Sequence, residues 1–316
     1  MITNPNVKIN LGLNILRKRQ DGFHDLETLF VPYFGLHDTL EIITGDDYSR
    51  TSAALFSKYG DGALPKSQGS VAPEGVFGVG AQETVASKLV QGISEDGRLM
   101  ITIAREEGVD WDPLKDLCAK AYMILSEDFD LPPVKIFLEK GSPVGAGLGG
   151  GSADAAFTLK MLNEMFSLGL SEQQLASYAS RLGSDCAFFV YNRPMIGEGR
   201  GEILTEFDLG DLLDCDNNDG KPSKYDLQVL VPEGISVSTA EAYGGIVPKL
   251  PEVELRDALA RPIEQWDGLL VNDFETTVFE KHPALAAIKR SLYDSGAVYA
   301  SMSGSGSALF AIYRKS

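Results

Sequence analysis

A cluster of glycines between a predicted strand and a predicted helix constrains this chain most. Residues 143–154 read Pro-Val-Gly-Ala-Gly-Leu-Gly-Gly-Gly-Ser-Ala-Asp, and composition and spacing predict a strand at residues 134–138 and a helix at residues 153–166. Because glycine allows positive φ and has no Cβ, successive N–H groups can converge on one anion there, and the helix start adds unpaired donors. The pattern predicts a phosphate-binding loop, with a flexible loop or a tight packing corner as the alternative.

Two well-known phosphate motifs do not fit this loop. Gly145, Gly147 and Gly150 satisfy G-x-G-x-x-G, but a dinucleotide site needs an acidic residue after a second parallel strand about 20 residues later. At that distance the chain has residues 168–170, Leu-Gly-Leu, after a helix. The Walker pattern also fails because no Gly-Lys-Ser/Thr ends the loop. The loop ends instead in Ser152, whose hydroxyl is a candidate contact for a phosphate or for Mg²⁺.

The charge and cysteine content exclude several classes of protein. The 316 residues include 28 lysines and arginines against 45 aspartates and glutamates, a formal net charge of −17. Such a field argues against nucleic-acid binding, so anions must be held by backbone amides and local basic side chains. No apolar stretch approaches the roughly 18 to 20 residues that span a bilayer, and the start lacks a secretory signal. Three cysteines and three histidines leave little for a disulfide framework or a zinc site. We expect a cytoplasmic protein without nucleic-acid or membrane partners; its oligomeric state stays open.

Alternation over residues 7–15 predicts a half-buried strand. The apolar residues 7, 9, 11, 13 and 15 would lie on one face, with Lys8, Asn10, Gly12 and Asn14 on the other. The pair Asp21-Gly22 then predicts a hairpin turn. Residues 53–91, rich in Gly, Ser and Ala, are interpreted as a surface excursion with one short helix at residues 82–89. Further strands are predicted at residues 40–43, 99–104, 227–231 and 308–313, and further helices at residues 114–125, 171–183, 252–260 and 284–291.

The pattern Pro-x-Gly-x-Gly-Leu-Gly-Gly-Gly-Ser resembles the phosphate loop of the GHMP small-molecule kinases. Four other segments match the family in order and spacing: Lys8-Ile-Asn-Leu, Asp21-Gly-Phe-His with Leu26 and Thr28, residues 182–189, and the Ser-Gly-Ser-Gly-Ser motif from Ser303. The first three are similar to those of members that act on a cytidine-diphosphate-linked methylerythritol. Phe23 replaces the usual tyrosine, and Ser184-Asp185-Cys186-Ala187 replaces the usual Ala-Asp-Val-Pro. Residues 53–91 match nothing in the family and are interpreted as an insertion.

The resemblance implies an α+β fold with the two-domain GHMP kinase architecture. A ribosomal protein S5 domain 2-like N-terminal domain would span residues 1–197 and a ferredoxin-like C-terminal domain residues 198–316, with the site in the cleft between them. The last strand is a candidate to return to the first domain.

The resemblance also implies a reaction and its cofactors. ATP, with Mg²⁺, would phosphorylate the 2-hydroxyl of a cytidine-diphosphate-linked methylerythritol in the non-mevalonate isoprenoid pathway. The alternatives are another GHMP kinase, acting on homoserine, mevalonate or a sugar, and a catalytically silent nucleotide-binding homologue.

Catalytic roles follow from the resemblance for two residues. Asp185 would act as the base or orienting acceptor, and Lys8 would hold that carboxylate ionised and polarise the attacking oxygen. An opposite charge within about 4 to 6 Å lowers the pKa of a carboxylate, so Asp185 would be a weak but always available base. From the residues alone, Lys8 could equally be a solvated side chain on an edge strand, and Asp185 could cap a helix.

The resemblance assigns binding roles to further residues. Phe23 and Tyr243 would stack on the cytosine, His24 would read its edge, and Asn10 and Thr239 would bond the substrate. Core aromatics, a surface histidine and local hydrogen bonds are the alternatives at these positions. Asp154 is expected to support the helix start, and no magnesium ligand is assigned beyond Ser152. The predicted nucleotide-binding residues are Lys140, Pro143, Gly145, Ala146, Gly147, Leu148, Gly149, Gly150, Gly151 and Ser152.

Overall fold

The computed structural model describes residues 1–45, 49–60, 87–213 and 223–315. Within these ranges the chain forms three β-sheets together with helices, so the predicted α+β class is confirmed. No helix in the described part of the chain is long and apolar enough to cross a membrane. Cys118 and Cys186 are buried free thiols, while Cys215 lies outside the described residues.

The first part of the chain builds two sheets. The strands are β1 (Ile2–Thr3), β2 (Asn6–Lys18), β3 (His24–His37), β4 (Thr39–Ile43), β5 (Ser87–Ile93), β6 (Leu99–Val109), β7 (Val134–Lys140), β8 (Met195–Gly199) and β9 (Ile203–Glu206). The helices are α1 (Arg50–Tyr59), α2 (Leu117–Ser126), α3 (Gly150–Met165), α4 (Glu172–Leu182) and α5 (Cys186–Tyr191). One sheet has the order β1-β4-β7-β6-β5 and the other the order β2-β3-β8-β9. Only β6 and β7 pair in parallel in the described sheets.

The remaining described residues build a third sheet. Its strands are β10 (Tyr225–Leu230), β11 (Tyr299–Met302) and β12 (Leu309–Arg314), in the antiparallel order β10-β12-β11. The helices are α6 (Thr239–Tyr243), α7 (Leu255–Leu259), α8 (Phe274–Lys281) and α9 (Pro283–Asp294). The last strand, β12, therefore pairs within this sheet. The proposed boundary between residues 197 and 198 falls inside β8, all of whose residues pair with β3.

The largest core lies between the five-stranded sheet and the helices α2 to α5. Strand residues such as Ile101, Ile136 and Leu138 are fully buried against the alanines of α3, including Ala153 and Ala156. Each fully buried Leu or Ile side chain contributes about 1.5 to 3 kcal/mol through the hydrophobic effect. This packing holds the start of α3, and with it the end of the glycine loop, against the sheet.

Residues 7–15 form part of strand β2, as predicted, but the prediction that this strand is half-buried is wrong. Both faces of β2 are covered, and the polar residues Lys8, Asn10 and Asn14 are 3%, 2% and 6% exposed. Lys8 and Asn10 are covered because the glycine loop and the Ser303 segment pack on them through the bonds described below. Buried polar groups of this kind need partners, which makes this face a candidate functional surface.

The predicted single apolar face of β2 is also wrong, because Gly12 forms a β-bulge. Leu11 pairs with Leu29 and Leu13 pairs with Thr28, so one residue of β2 is skipped and the following side chains change sides. Gly12 has a φ of +71° at this point. As a result Leu11 joins the core under the third sheet, whereas Leu13 packs in a separate cluster with α8.

Residues 53–91 differ from the predicted surface excursion where they are described. Residues 50–59 form helix α1, whose Leu55 and Phe56 are buried against the five-stranded sheet. The predicted helix at residues 82–89 is wrong at residues 87–89, which belong to the edge strand β5, and residues 82–86 lie outside the described ranges. Leu89 pairs with Ala104 of β6 instead of lying on a helix face.

Local signals in the sequence are confirmed elsewhere. The Asp21-Gly22 turn closes the β2–β3 hairpin, with the Arg19 N–H donating to the Phe23 carbonyl at 2.8 Å. Ser171 and Gln174 form a reciprocal capping box at the start of α4. The remaining predicted strands and helices are present with shifted ends; the most consequential shift is at α3, which begins at Gly150 inside the glycine cluster.

Candidate functional site

The glycine loop has the backbone conformation that its composition predicts. Gly145, Gly147 and Gly149 have φ values of +74°, +78° and +75°, so every second residue is left-handed. A Cβ at Gly147 would lie 2.3 Å from the Ser303 carbonyl oxygen. Side chains cannot be accommodated at such a contact, so the close approach of two backbones requires glycine here. The buried side chains of Ala146 and Leu148 anchor the loop, so the groups that these residues could offer to a ligand are their backbone N–H groups.

Strand β2 and the Ser303 segment hold the loop from two sides. The Lys8 N–H donates to the Leu148 carbonyl at 2.9 Å, and the Ala308 N–H donates to the Ala146 carbonyl at 3.1 Å. The Gly147 carbonyl accepts bonds from Lys8 Nζ at 2.9 Å and from Ser303 Oγ at 3.2 Å. The Lys8-Ile-Asn-Leu motif and the Ser303 motif therefore meet at Gly147.

We expect Gly147→Ala to raise the KM for ATP about tenfold or more, because left-handed strain of about 1 to 2 kcal/mol adds to the clash with Ser303. Steady-state kinetics at varied ATP concentration would measure the change. Gly268→Ala is the matched control, since Gly268 has the same φ of +78° with no atom within 4 Å of its added Cβ. An unchanged KM in Gly147→Ala would contradict the role of this loop in ATP binding.

Lys8 and Asp185 lie together beside the loop. Lys8 Nζ is 3.5 Å from Asp185 Oδ2, and it also donates to Asn10 Oδ1 at 2.6 Å. Asp185 precedes α5, but its side chain accepts no capping hydrogen bond from the backbone, so the helix does not use its carboxylate. Burial lowers the pKa of Lys8, and Asp185 partly opposes this effect. The arrangement is a buried ammonium next to a carboxylate that is 30% exposed and can meet a ligand.

Lys140 lies below the loop between two buried carboxylates. Its Nζ donates to Asp154 Oδ2 at 2.6 Å and to Asp38, and all three residues are under 10% exposed. Asp38 also accepts from the N–H of Ser142 at 2.6 Å and from its hydroxyl at 2.9 Å. Burial lowers the pKa of Lys140, but the two carboxylates outweigh it and the pKa is raised. These contacts tie both ends of the loop together; a direct bond from Lys140 to a nucleotide stays a prediction.

A cavity of about 930 Å³ opens next to the Lys8–Asp185 pair. Ser184, the neighbour of Asp185, lines it together with Phe23, His24, Thr239 and Tyr243. The rings of His24 and Tyr243 stack with centroids 4.9 Å apart at 25°. Burial lowers the pKa of His24, with a smaller contribution from Lys18. The imidazole is therefore mostly neutral at neutral pH and presents one donor and one acceptor.

The structure brings the predicted site residues into three groups. The first group is Lys8, Asn10 and Asp185, which contact one another or the loop. The second is the continuous loop from Pro143 to Ser152. The third consists of the four predicted substrate residues that line one cavity: Phe23, His24, Thr239 and Tyr243. The Asn10 side chain is already engaged, since its Nδ2 donates to Thr28 Oγ1 at 3.1 Å. Phe23 is 55% exposed and does not stack on Tyr243 among the described ring contacts. Their roles in binding stay predictions.

Sequence reasoning missed several residues of this region. Asp38 and Ser142 lie far apart in sequence and carry no motif, so nothing signalled that they would pair below the loop. Arg200, which also lines the cavity, belongs to none of the motifs. Its place between Gly199 and Gly201, next to the predicted domain boundary, is the one signal that the sequence offers.

The chain matches two family profiles. Residues 116–193 match GHMP kinases N terminal domain, and residues 253–316 match GHMP kinases C terminal. These matches include the glycine loop, Asp185 and the Ser303 segment. They confirm the resemblance inferred from the motifs.

Named relatives extend the match to the full chain. A 4-diphosphocytidyl-2-C-methyl-D-erythritol kinase of Bacteroides fragilis is 40% identical over 313 residues, which are 99% of this chain and 92% of the relative. The protein of the same name from Bacteroides thetaiotaomicron is 41% identical with the same coverage.

Solved structures agree with these relatives. A crystal structure of 4-(cytidine 5'-diphospho)-2C-methyl-D-erythritol kinase superposes with a TM-score of 0.64 at 25% identity, covering 98% of this chain and 89% of that one. A homoserine kinase from Cytophaga hutchinsonii shares the fold, with a TM-score of 0.55 at 16% identity over 98% of this chain and 86% of that one. The chain therefore belongs to the GHMP kinases and, among them, to the 4-diphosphocytidyl-2-C-methyl-D-erythritol kinase family.

Proposed function

We propose that this chain transfers the γ-phosphoryl group of ATP to the 2-hydroxyl of 4-diphosphocytidyl-2-C-methyl-D-erythritol, a step of the non-mevalonate isoprenoid pathway. The observation that carries the proposal is the Lys8–Asp185 pair, placed between the glycine loop and the cavity that contains His24 and Tyr243. The proposed phosphate site, proton acceptor and base-stacking site would thus adjoin one another. The full-length relatives at 40% and 41% identity support the same reaction.

The glycine loop would hold the phosphates of ATP. Phosphoryl transfer depends mainly on positioning and on neutralising charge, since the transition state is loose and spreads charge over the phosphoryl oxygens. The loop supplies backbone N–H groups and the start of the 16-residue helix α3. In a chain with a net charge of −17, these local dipoles replace the general positive field that would otherwise attract ATP.

The protein oxygen atoms near the loop are suited to a Mg²⁺ ion that takes most of its ligands from ATP and water. This ion keeps several waters and usually takes only one or two protein oxygens together with substrate phosphates. Ser152, partly exposed in the first turn of α3, would supply a hydroxyl oxygen. Within the described residues no cluster of three or more acidic, His or Cys side chains offers a complete protein site. Bound there, the ion would neutralise charge on the β- and γ-phosphates.

Asp185 and Lys8 would prepare the acceptor hydroxyl. Asp185 would accept a hydrogen bond from the 2-hydroxyl and hold its oxygen in line with the γ-phosphorus. It would take the proton as the new P–O bond forms and the bond from the γ-phosphorus to the departing ADP breaks. Lys8, bonded to Asn10 and to the Gly147 carbonyl, fixes its ammonium between the carboxylate and the loop. Its position links the orientation of the acceptor to that of the donor phosphates.

His24, Tyr243 and Phe23 would select cytosine. A neutral imidazole can offer an acceptor to the exocyclic amino group of cytosine and a donor to a ring acceptor, whereas uracil reverses part of this pattern. Aromatic faces hold any base by stacking, so the hydrogen bonds decide which base is accepted. We expect binding to include movement of the His24–Tyr243 stack or use of its outer face.

A substrate panel tests the proposal. The protein with ATP and Mg²⁺ would be given the cytidine-linked polyol, its uridine-linked analogue, homoserine, mevalonate and galactose, and phosphorylated products would be measured directly. We expect turnover of the cytidine-linked polyol and much lower kcat/KM for the uridine analogue, because the hydrogen bonds from His24 would be mismatched. Faster phosphorylation of homoserine, mevalonate or galactose would reject the proposed substrate. Absence of turnover with every acceptor would favour a silent homologue.

A further inference from the structure

The cavity is depleted of negative charge in an acidic protein. Its described lining includes two arginines, Arg181 and Arg200, and no carboxylate, although the chain has 45 acidic residues against 28 basic ones. A lining of this kind favours an anionic ligand, because charge complementarity steers and holds it against the repulsion of the whole protein. The Lys8–Asp185 pair and the glycine loop account for ATP and for the acceptor hydroxyl, but not for these arginines.

Arg200 is held on a tight turn between β8 and β9. Its N–H donates to Glu202 Oε2 at 2.6 Å, and the Gly201 N–H donates to the Glu198 carbonyl at 3.0 Å. A Cβ built on Gly201 would lie 3.9 Å from Asp185 Oδ1, so the turn runs directly beside the candidate catalytic carboxylate. The backbone of Arg200 is thereby fixed next to the place where the acceptor group must sit.

The guanidinium of Arg200 reaches the other side of the cavity. It lies 5.0 Å above the ring of Phe23, the predicted stacking residue. Glu202 forms an ion pair with it, but Glu202 Oε1 is 3.7 Å from Nε, beyond hydrogen-bond distance. No hydrogen bond from this guanidinium is found within the described residues. By contrast, Arg181 donates to Glu127 at 2.9 Å. Within the described residues all the guanidinium donors of Arg200 are therefore available for a ligand, whereas Arg181 already uses one donor on Glu127.

We propose that Arg200 binds the diphosphate group of the cytidine-linked substrate and makes the site specific for a nucleoside diphosphate. The inference rests on the proposed function. In such a substrate the diphosphate lies between the base and the polyol. The Arg200 guanidinium lies over the Phe23 ring, and the next residue, Gly201, lies beside Asp185. A guanidinium forms paired, charge-assisted hydrogen bonds to phosphate oxygens, which an ammonium cannot match in geometry.

Comparison of cytidine with cytidine diphosphate tests this proposal directly. Calorimetric titration would measure the Kd of cytidine and of cytidine diphosphate for the wild-type protein and for Arg200→Gln. Steady-state kinetics would add the KM values for ATP and for the cytidine-linked polyol. We expect Arg200→Gln to weaken cytidine diphosphate binding by about 10- to 100-fold, as for lost hydrogen bonds to a charged group. The Kd of cytidine and the KM for ATP should stay unchanged, and Arg200→Lys should restore part of the lost affinity.

Arg290→Gln is the control, since Arg290 is an exposed arginine of α9 that does not line the cavity. A ratio of the two Kd values that is the same in wild type and Arg200→Gln would overturn the role of Arg200 and leave the proposed function standing. Loss of cytidine diphosphate affinity in Arg181→Gln but not in Arg200→Gln would also overturn it. If the wild-type protein bound neither ligand, the proposed function itself would fall.

Discussion

Replacing Asp185 with asparagine is expected to lower kcat by about 100- to 10,000-fold, the range typical of a lost general base, while the affinity for ATP stays nearly unchanged. Asparagine keeps the size of the side chain but cannot take a proton and carries no charge. Asp185 is 30% exposed and does not cap α5, so the change removes no hydrogen bond on which the helix depends. Single-turnover kinetics and equilibrium binding of ATP would separate the two effects.

The control for this variant is Asp226→Asn. Asp226 is an exposed residue of β10 whose carboxylate accepts a bond from Gln228, so the same chemical change is made away from the site. Its kcat should equal that of the wild type. Turnover at the wild-type rate in Asp185→Asn would refute the assigned role, and equal loss of ATP affinity and kcat would place Asp185 in nucleotide binding instead.

Lys140→Met is expected to lower the free energy of unfolding by about 3 to 5 kcal/mol, the usual result of breaking a buried ion pair by removing one partner. The substitution leaves Asp38 and Asp154 buried without their cation, and Asp154 Oδ1 already has no hydrogen-bond partner in the described structure. Because Asp38 also holds Ser142 at the start of the glycine loop, we expect a raised KM for ATP as well. Urea denaturation and ATP-dependent kinetics would measure the two consequences.

Lys58→Met provides the matched comparison. Lys58 bonds to Glu139, the residue next to Lys140 in β7, but its side chain is 59% exposed and the pair is solvated. Surface pairs contribute about 0 to 1 kcal/mol, so this variant should unfold at nearly the wild-type urea concentration. An equally small decrease in the free energy of unfolding in Lys140→Met and Lys58→Met would contradict the structural role given to Lys140.

Much of the local structure could be predicted because it depends on near neighbours in sequence. The Asp21-Gly22 turn, the Ser171 capping box and the left-handed glycines of the phosphate loop each follow from what a few consecutive residues can adopt. The joint occurrence of several motifs was sufficient for the family, which the full-length relatives confirm. A single glycine motif would not have been sufficient to identify the family.

Features that depend on long-range contacts could not be predicted. The polar face of β2 resembles the solvated side of an edge strand in sequence, and only the packing of Gly147 and Ser303 over Lys8 shows that it is buried. The bulge at Gly12 reverses the faces of β2 after Leu11, and a period of two cannot reveal a skipped residue. The link from Asp38 to Lys140 spans 102 positions.

The kind of chemistry could be inferred from the residues alone. They include a loop able to hold phosphate, a lysine and an aspartate in matching motifs, and aromatic and histidine residues suited to a nucleotide base. Local conformation and residue type decide these, because φ preferences and side-chain chemistry belong to short segments. The tertiary structure alone decided that Lys140 supports the loop from below and that Arg200 faces the cavity. Charges act according to their neighbours in space and their exposure to water, and only the folded chain sets both.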